Sequence, residues 1–177
     1  IHRSPLCGRN FEYYSEDPLL AGVLAGAMVK GIQSQGVAAT VKHFALNNKE
    51  TDRKHSDSRV SERAAREIYL KAFEYVIKGA KPWAVMSSYN IINGCYASEN
   101  KELLEDILRD EWGFDGMVTT DWWTLGEHYK EVKAGNDMKM ACGDPKRLKE
   151  AMDQGLLTRQ DLEHCAERVL NLILKLD

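Results

Sequence analysis

Gly116-Met117-Val118-Thr119-Thr120-Asp121-Trp122-Trp123 is the stretch whose reading decides the fold. Met117 to Thr120 is short, apolar and β-branched, and it follows a turn bracketed by Gly113 and Gly116, so it reads as a buried strand. A carboxylate stands directly at its exit. Local sequence allows Asp121 two roles: N-cap of a helix starting near Trp122, or a carboxylate held rigidly at the strand end and aimed into a central pocket. Two adjacent tryptophans are costly to leave in water, so at least one of Trp122 and Trp123 is expected in the core.

Working outward, the same unit recurs. Asp17-Pro18 opens a helical stretch through Gln33, with Pro18 suited to the first turn and Gly36 beyond its end. Val37 to Val41 reads as a strand, and a polar loop runs from His43 to about Val60. Ser61 is a good N-cap for a helix to about Lys78, with Gly79 after it. Trp83 to Ser88 reads as the next strand and Tyr89 to Ala97 as its loop; Ser98 then caps a helix through about Glu111. Asp137 to Met140 suits another short strand. Thr158 with Asp161 resembles a capping box for a last helix reaching about Leu176.

Strands alternating with helices imply an α/β protein with βα units on a parallel sheet. The chemically distinctive residues gather after the strands, at Lys42-His43, Tyr89-Asn90 and Asp121-Trp122. Barrel enzymes build their sites at that end of the sheet, and a full barrel needs about 250 residues. This chain has 177 residues, which fits one domain and a part of such a barrel; it starts with Ile1 rather than Met and is read as a piece of a longer protein. No glycine-rich phosphate loop follows the first strand, which argues against a dinucleotide fold.

Composition narrows the classes further. Hydrophobic residues at 44% and charged residues at 29% make an ordinary globular chain. A formal net charge of −3 without a basic stripe argues against nucleic acid. No apolar run approaches the roughly 18–20 residues of a membrane span. Cys7, Cys95, Cys142 and Cys165 are scattered with no Cys-x-x-Cys pair, so neither a zinc site nor a disulfide framework is expected, and no cofactor is called for. Four mostly buried, reduced thiols lean towards a cytoplasmic setting.

Lys42-His43 at a strand end can be a salt-bridged terminus. It can also be a set of donors and an acceptor for sugar hydroxyls, and aromatic faces such as those of Trp122 and Trp123 stack on sugar rings. Five segments together resemble glycoside hydrolase family 3, of the β-glucosidase-like kind, over nearly the whole chain. They are Gly8-Arg9-Asn10-Phe11-Glu12 with Ser15-Glu16-Asp17-Pro18; Lys42-His43-Phe44-Ala45-Leu46-Asn47-Asn48; Ser61-Glu62-Arg63 with Arg66-Glu67-Ile68-Tyr69; Met86-Ser87-Ser88-Tyr89-Asn90 with Asn93-Gly94; and Glu111-Trp112-Gly113-Phe114-Asp115-Gly116 leading to Thr120-Asp121-Trp122.

The resemblance implies the C-terminal part of a TIM-like (β/α) barrel, residues 1–177 being a partial N-terminal barrel domain with upstream strands and a following domain outside it. It implies Asp121 as the nucleophile and Arg9, Lys42, His43 and Arg53 as groups on the sugar. Tyr89 would sit by the nucleophile and donate to it, and Met86 and Trp122 would wall the pocket. Lys42 and Arg53 beside Asp121 would favour its charged form. The partner is then a β-glucoside or oligosaccharide, with self-association through open barrel edges. The alternatives are a β-xylosidase or arabinofuranosidase of the same family, or an isolated fragment that folds without catalysing a reaction. The acid/base glutamate would lie on the following domain. A subgroup that uses a histidine carries Lys-His-Phe-Pro-Gly-His; here Ala45-Leu46-Asn47 follow Phe44, so His55 is not assigned that role. The family's downstream Gly-x-Asp-x-x-Met-Pro reads Gly135-Asn136-Asp137-Met138-Lys139-Met140-Ala141, without the proline.

Overall fold

The computed structural model describes the whole chain, residues 1–177. Helix α1 (Pro18–Gln33) begins with proline at its first position, and the Asp17 side chain accepts from the backbone N–H groups of Leu19 at 2.7 Å and Leu20 at 3.0 Å. Helix α2 (Glu62–Ala64) passes through a widened turn (Ala65–Tyr69) into α3 (Lys71–Ala80). Helices α1 and α3 pack through small residues: a Cβ on Gly22 would lie 2.7 Å from that of Tyr75.

Strands β1 (Thr40–Phe44), β3 (Ala84–Ser87) and β6 (Met117–Thr120) form a parallel sheet in the order β1-β3-β6. Phe44 faces Ser87 and Ser87 faces Thr120, so the three strands end level with one another. The β1 register shifts between Val41 and Phe44, where the Lys42–His43 and Phe44–Ala45 peptide bonds are cis. A second small sheet joins β2 (Asp57–Ser58), β4 (Ile91–Ile92) and β5 (Cys95–Tyr96). Asn93 and Gly94 turn its hairpin at φ of 49° and 92°, a backbone that asparagine and glycine tolerate.

Phe44, Val85 and Val118, one from each main strand, are fully buried with Leu104 and Leu108 of the wide helix Glu102–Glu111. The Phe44 ring meets Phe73 and Trp112 edge-on, with centroids 5.0 and 5.8 Å away. Behind β6 stand α4 (His128–Ala134), α5 (Pro145–Asp153) and α6 (Arg159–Leu176). The expected Thr158–Asp161 capping box opens α6.

Several expectations move. Strand β1 starts at Thr40 rather than Val37. The helix from Ser61 does not stop before Gly79: it runs to Ala80 and ends at Lys81, which takes the left-handed conformation at φ 49°. The Tyr89–Ala97 loop contains the β4–β5 hairpin. Ser98 caps nothing, because its hydroxyl donates to Glu131, and Asn100 Oδ1 takes the Leu103 N–H at 3.0 Å instead. No helix starts at Trp122; the first after β6 is α4. Asp137 to Met140 forms no strand, only a parallel bridge from Met138 to Thr119. The four cysteines are unpaired, Cys7 and Cys165 buried and the other two partly so.

The outer edge of β1 has no strand partner. Beside it a cavity of about 240 Å³ opens between α1, α3 and β1. Helix α1 turns Leu19, Leu20, Val23, Leu24 and Met28 to solvent.

Arg109 ties the back of the sheet together. Its guanidinium donates to the Gly116 carbonyl at 2.9 Å, the Gly135 carbonyl at 3.3 Å and Asp137 Oδ2 at 2.8 Å. Asp137 also accepts from the Val118 N–H at 2.7 Å and from Arg168 of α6 at 3.2 Å. Removing one partner of a buried ion pair leaves a charge uncompensated, so Arg109→Met is expected to lower unfolding free energy by about 3 kcal/mol. Urea titration checks this; a loss under about 1 kcal/mol, the scale of an exposed pair, would mean that Arg168 and the Val118 N–H suffice alone.

Candidate active site

The level ends of β1, β3 and β6 bring three residues of one site together. Asp121 follows β6, and its backbone N–H donates to the Ser87 carbonyl at the end of β3, at 3.1 Å. Its Oδ1 accepts the next backbone N–H, that of Trp122, at 2.7 Å. Its Oδ2 is buried, makes no hydrogen bond, and lies 3.4 Å from His43 Nε2. One carboxylate oxygen is thus anchored and the other left with free lone pairs, the arrangement a nucleophile needs.

His43 lies near the end of β1 and is 8% exposed. Arg9 Nη1 also stands 3.4 Å from its Nε2. Burial pushes the His43 imidazole down to about 4, because the opposing attraction of Asp121 is too small to offset desolvation and the nearby Arg9 and Lys42 charges. The ring is therefore neutral at pH 7, with one nitrogen to donate and one to accept.

The cations of the site are held by carboxylates other than Asp121. Arg9 pairs with Glu12, and Glu12 Oε2 lies 3.3 Å from Lys42 Nζ. Burial alone would raise the Glu12 carboxyl; its bond to Arg9 and the Lys42 charge overcome that and hold it below the usual range. Arg53 donates to Glu50 Oε2 at 3.0 Å and lays its guanidinium over the Tyr89 ring, 4.6 Å from the centroid. Lys54 sits 5.1 Å from the same ring and donates to the Trp123 carbonyl at 2.9 Å. Tyr89 donates to the Trp122 carbonyl at 2.6 Å. Burial, then the Asp121 charge, pushes its phenol up to about 12.

All the expected site residues except Met86 fall into this linked set. Met86 is half-buried on β3 opposite Thr119 in register. Three details differ. Neither Lys42 nor Arg53 forms an ion pair with Asp121, because Glu12 and Glu50 take them. Tyr89 makes its 2.6 Å hydrogen bond to the Trp122 carbonyl, with the Asp121 carboxylate beside the same hydroxyl. Neither tryptophan is core: Trp122 is 46% and Trp123 54% exposed, packed edge-to-face 5.2 Å apart. The cause is local. Asp121 Oδ1 takes the Trp122 N–H and Trp123 adopts φ 53°, so the chain bends outward instead of coiling into a helix. Sequence reasoning gave no role to Glu12 or Glu50. Each lies three residues from its arginine, Glu12 after Arg9 and Glu50 before Arg53, and that spacing was the available signal.

Residues 1–172 match the model of the glycosyl hydrolase family 3 N-terminal domain. The chain belongs to this family. It is 66% identical over 163 residues to β-glucosidase A of Butyrivibrio fibrisolvens, covering 92% of this chain and 20% of that protein. An exo-α-(1→6)-L-arabinopyranosidase of Bifidobacterium longum is 47% identical over 176 residues, which is 99% of this chain and 23% of that one. The solved structure of β-glucosidase 3B from Thermotoga neapolitana in complex with α-D-glucose superposes with a TM-score of 0.95 at 48% identity, covering 99% of this chain and 26% of that chain. The chain thus spans about a fifth to a quarter of these relatives. Its parallel strands and flanking helices have the α/β architecture of the TIM-like barrel domain, as the sequence pattern implied.

A pH dependence follows from His43. Its folded-state value lies below its ordinary value of 6.5, so it contributes stability that is fully present above about 6.5 and lost as pH falls through about 4. Wild type is expected to lose stability relative to His43→Asn across that window. Unfolding midpoints of both proteins at pH 7, 5.5 and 4 check it; a constant difference would mean that the ring titrates normally.

Proposed function

We propose that this chain is the nucleophile-bearing part of a longer retaining β-glucosidase. The observation that carries the reading is the Asp121 carboxylate, with Oδ1 anchored to the Trp122 N–H and Oδ2 buried and unbonded 3.4 Å from His43. Asp121 Oδ2 attacks the anomeric carbon of a terminal β-D-glucosyl unit and forms a covalent glycosyl-aspartate. An acid outside this chain protonates the departing oxygen, standing roughly 5–5.5 Å from the nucleophile, and water then releases the sugar with its configuration retained. His43, Lys42, Arg9 and Arg53 supply donors and one neutral acceptor for the ring hydroxyls. Half-exposed Trp122 offers an apolar face, Met86 a second wall, and Tyr89 fixes the Trp122 backbone.

The similarity to arabinopyranosidases supports a pentose-cleaving member as the second reading. L-Arabinopyranose lacks the C6 hydroxymethyl group of glucose and carries its C4 hydroxyl on the opposite face of the ring, and a panel of nitrophenyl glycosides separates the two. The unpaired edge of β1 and the apolar face of α1 support pairing with further barrel strands or, in isolation, with another copy. The four free thiols fit a reducing, cytoplasmic setting.

In the full-length protein, Asp121→Ala is expected to abolish hydrolysis of nitrophenyl β-glucoside, and a fluorinated glucoside inactivator should label Asp121; mass spectrometry that finds the label on another carboxylate sinks the assignment. Lys42→Ala should cost about 1.5–3 kcal/mol in kcat/KM, the worth of a hydrogen bond to a charged group, and His43→Ala about 0.5–1.5 kcal/mol, that of a neutral one. Residues 1–177 alone should show negligible turnover, since general acid help is worth about 10²–10⁴-fold and its donor lies elsewhere. Parent-like activity of the isolated chain would mean that the acid is within it.

A further inference from the structure

Asp121 leaves β6 into a segment, residues 121–127, that has no helix or strand before α4 begins at His128. That segment carries the two half-exposed tryptophans, so its own packing is a poor restraint. Tyr89 and Lys54 hold its first residues through the Trp122 and Trp123 carbonyls and Glu99 accepts from the Glu127 N–H, while one buried side chain holds its middle. Lys139 Nζ donates to Thr124 Oγ1 at 3.2 Å, to the Gly126 carbonyl at 3.0 Å and to Glu131 Oε2 at 2.5 Å. An ammonium has three protons, and all three are used.

The anchor is rigid. The Lys139 side chain is 6% exposed and that of Glu131 is 1% exposed. The other Glu131 oxygen accepts from Ser98 Oγ at 2.9 Å, and Gly126 packs so close that a Cβ there would lie 2.5 Å from it. Asn136 donates to the Ser98 and Glu131 carbonyls and accepts from Ser87 Oγ at 2.8 Å, on the residue whose carbonyl holds the Asp121 N–H. Lys139 itself is fixed by its neighbours in the chain: Met140 N–H donates to Thr120 Oγ1 at 3.0 Å, and the Met140 carbonyl accepts from Trp123 N–H at 3.4 Å.

A buried ion pair is a weak device for stability, since apolar residues of similar volume fill the same space at no loss. Two of the three Lys139 bonds go to the segment after Asp121, which an apolar residue could not replace. We propose that Lys139 is a positioning residue: through Thr124 and Gly126 it fixes the segment that follows Asp121, and so sets the carboxylate and the Trp122 face for attack. The proposal rests on the reading of Asp121 as nucleophile.

The test uses the full-length enzyme carrying Lys139→Met/Glu131→Leu, which removes both buried charges, and Lys139→Arg, which keeps the charge but changes the donor geometry. A fluorinated glucoside inactivator titrates competent sites, so that kcat and the inactivation rate constant are expressed per active site. Misplacement near the reacting atoms costs up to about a hundredfold, so a fall of about ten- to a hundredfold per site is expected in the double variant, with a smaller fall in Lys139→Arg. The thermal midpoint should stay near wild type, and the inhibition constant for glucose, whose hydroxyl contacts come from Lys42, His43, Arg9 and Arg53, should change much less than the rate per site. A loss of fold alone would lower the number of titrated sites and not the rate per site. Wild-type rates per site in a folded double variant, or in Lys139→Arg where the double variant does not fold, overturn the proposal while leaving Asp121 as nucleophile. Labelling of another carboxylate in wild type overturns both.

Discussion

The register of β3 against β6 is the constraint on which the rest of the site depends. Side chains alternate along a strand, so a slip of one residue would turn Asp121 from the pocket into the packing behind it. The Ser87 carbonyl takes the Asp121 N–H directly, so the last ladder bond of the sheet is also the first bond of the site. At the other end of the same pair, Gly116 passes so close to the Trp83 carbonyl that a Cβ would sit 2.5 Å from it. Arg109 closes the same turn through the Gly116 carbonyl. The geometry of the carboxylate is thus set by backbone and by a buried pair behind the sheet, with little left to the exposed side.

A second constraint is electrostatic. Arg9, Lys42, Arg53 and Lys54 surround one buried carboxylate, and nothing in their charges alone would keep them from collapsing onto it. Glu12 and Glu50 prevent this by taking Arg9, Lys42 and Arg53 for themselves. Held cations still lend positive potential to the pocket, but they leave Asp121 Oδ2 without a hydrogen bond. The neutral His43 fits the same logic. A charged imidazole at 3.4 Å would form a salt bridge with Asp121; a neutral one, desolvated below its ordinary range, can serve a hydroxyl instead.

What was legible in the sequence was what local rules decide. The Asp17-Pro18 start, the Thr158–Asp161 box and the apolar runs of β3 and β6 each depend on neighbours within four residues. Of the site, the positions were legible from motif residues, but the pairings were not. Lys42 meets Glu12 across thirty positions of chain, and no periodicity encodes that contact. Ser98 was misread for the same reason. Its N-cap chemistry is real, but a buried Glu131 from α4 competes for the hydroxyl and wins, because an unsatisfied buried carboxylate costs more than a cap gains. Helix α5 was passed over although Asp144-Pro145 carries the same start signal as Asp17-Pro18.

The missing proline in Gly135-Asn136-Asp137-Met138-Lys139-Met140-Ala141 has a structural meaning of its own. Ala141 stands at φ 62°, a conformation closed to a proline ring, whose φ is held near −65°. A chain with proline there must leave Met140 along a different path, and Met140 is the residue whose N–H meets Thr120 Oγ1 and whose carbonyl meets the Trp123 N–H. The Asp137–Met140 segment forms only the Met138–Thr119 bridge, tied to β6 by backbone bonds between Asp137, Met138 and Val118 and between Thr120 and Met138, and side chains secure it further. Asp137 is bound by Arg109 and Arg168, and Lys139 by Glu131. Where the ladder stops, buried charge pairs take over the alignment of the strand that ends in Asp121.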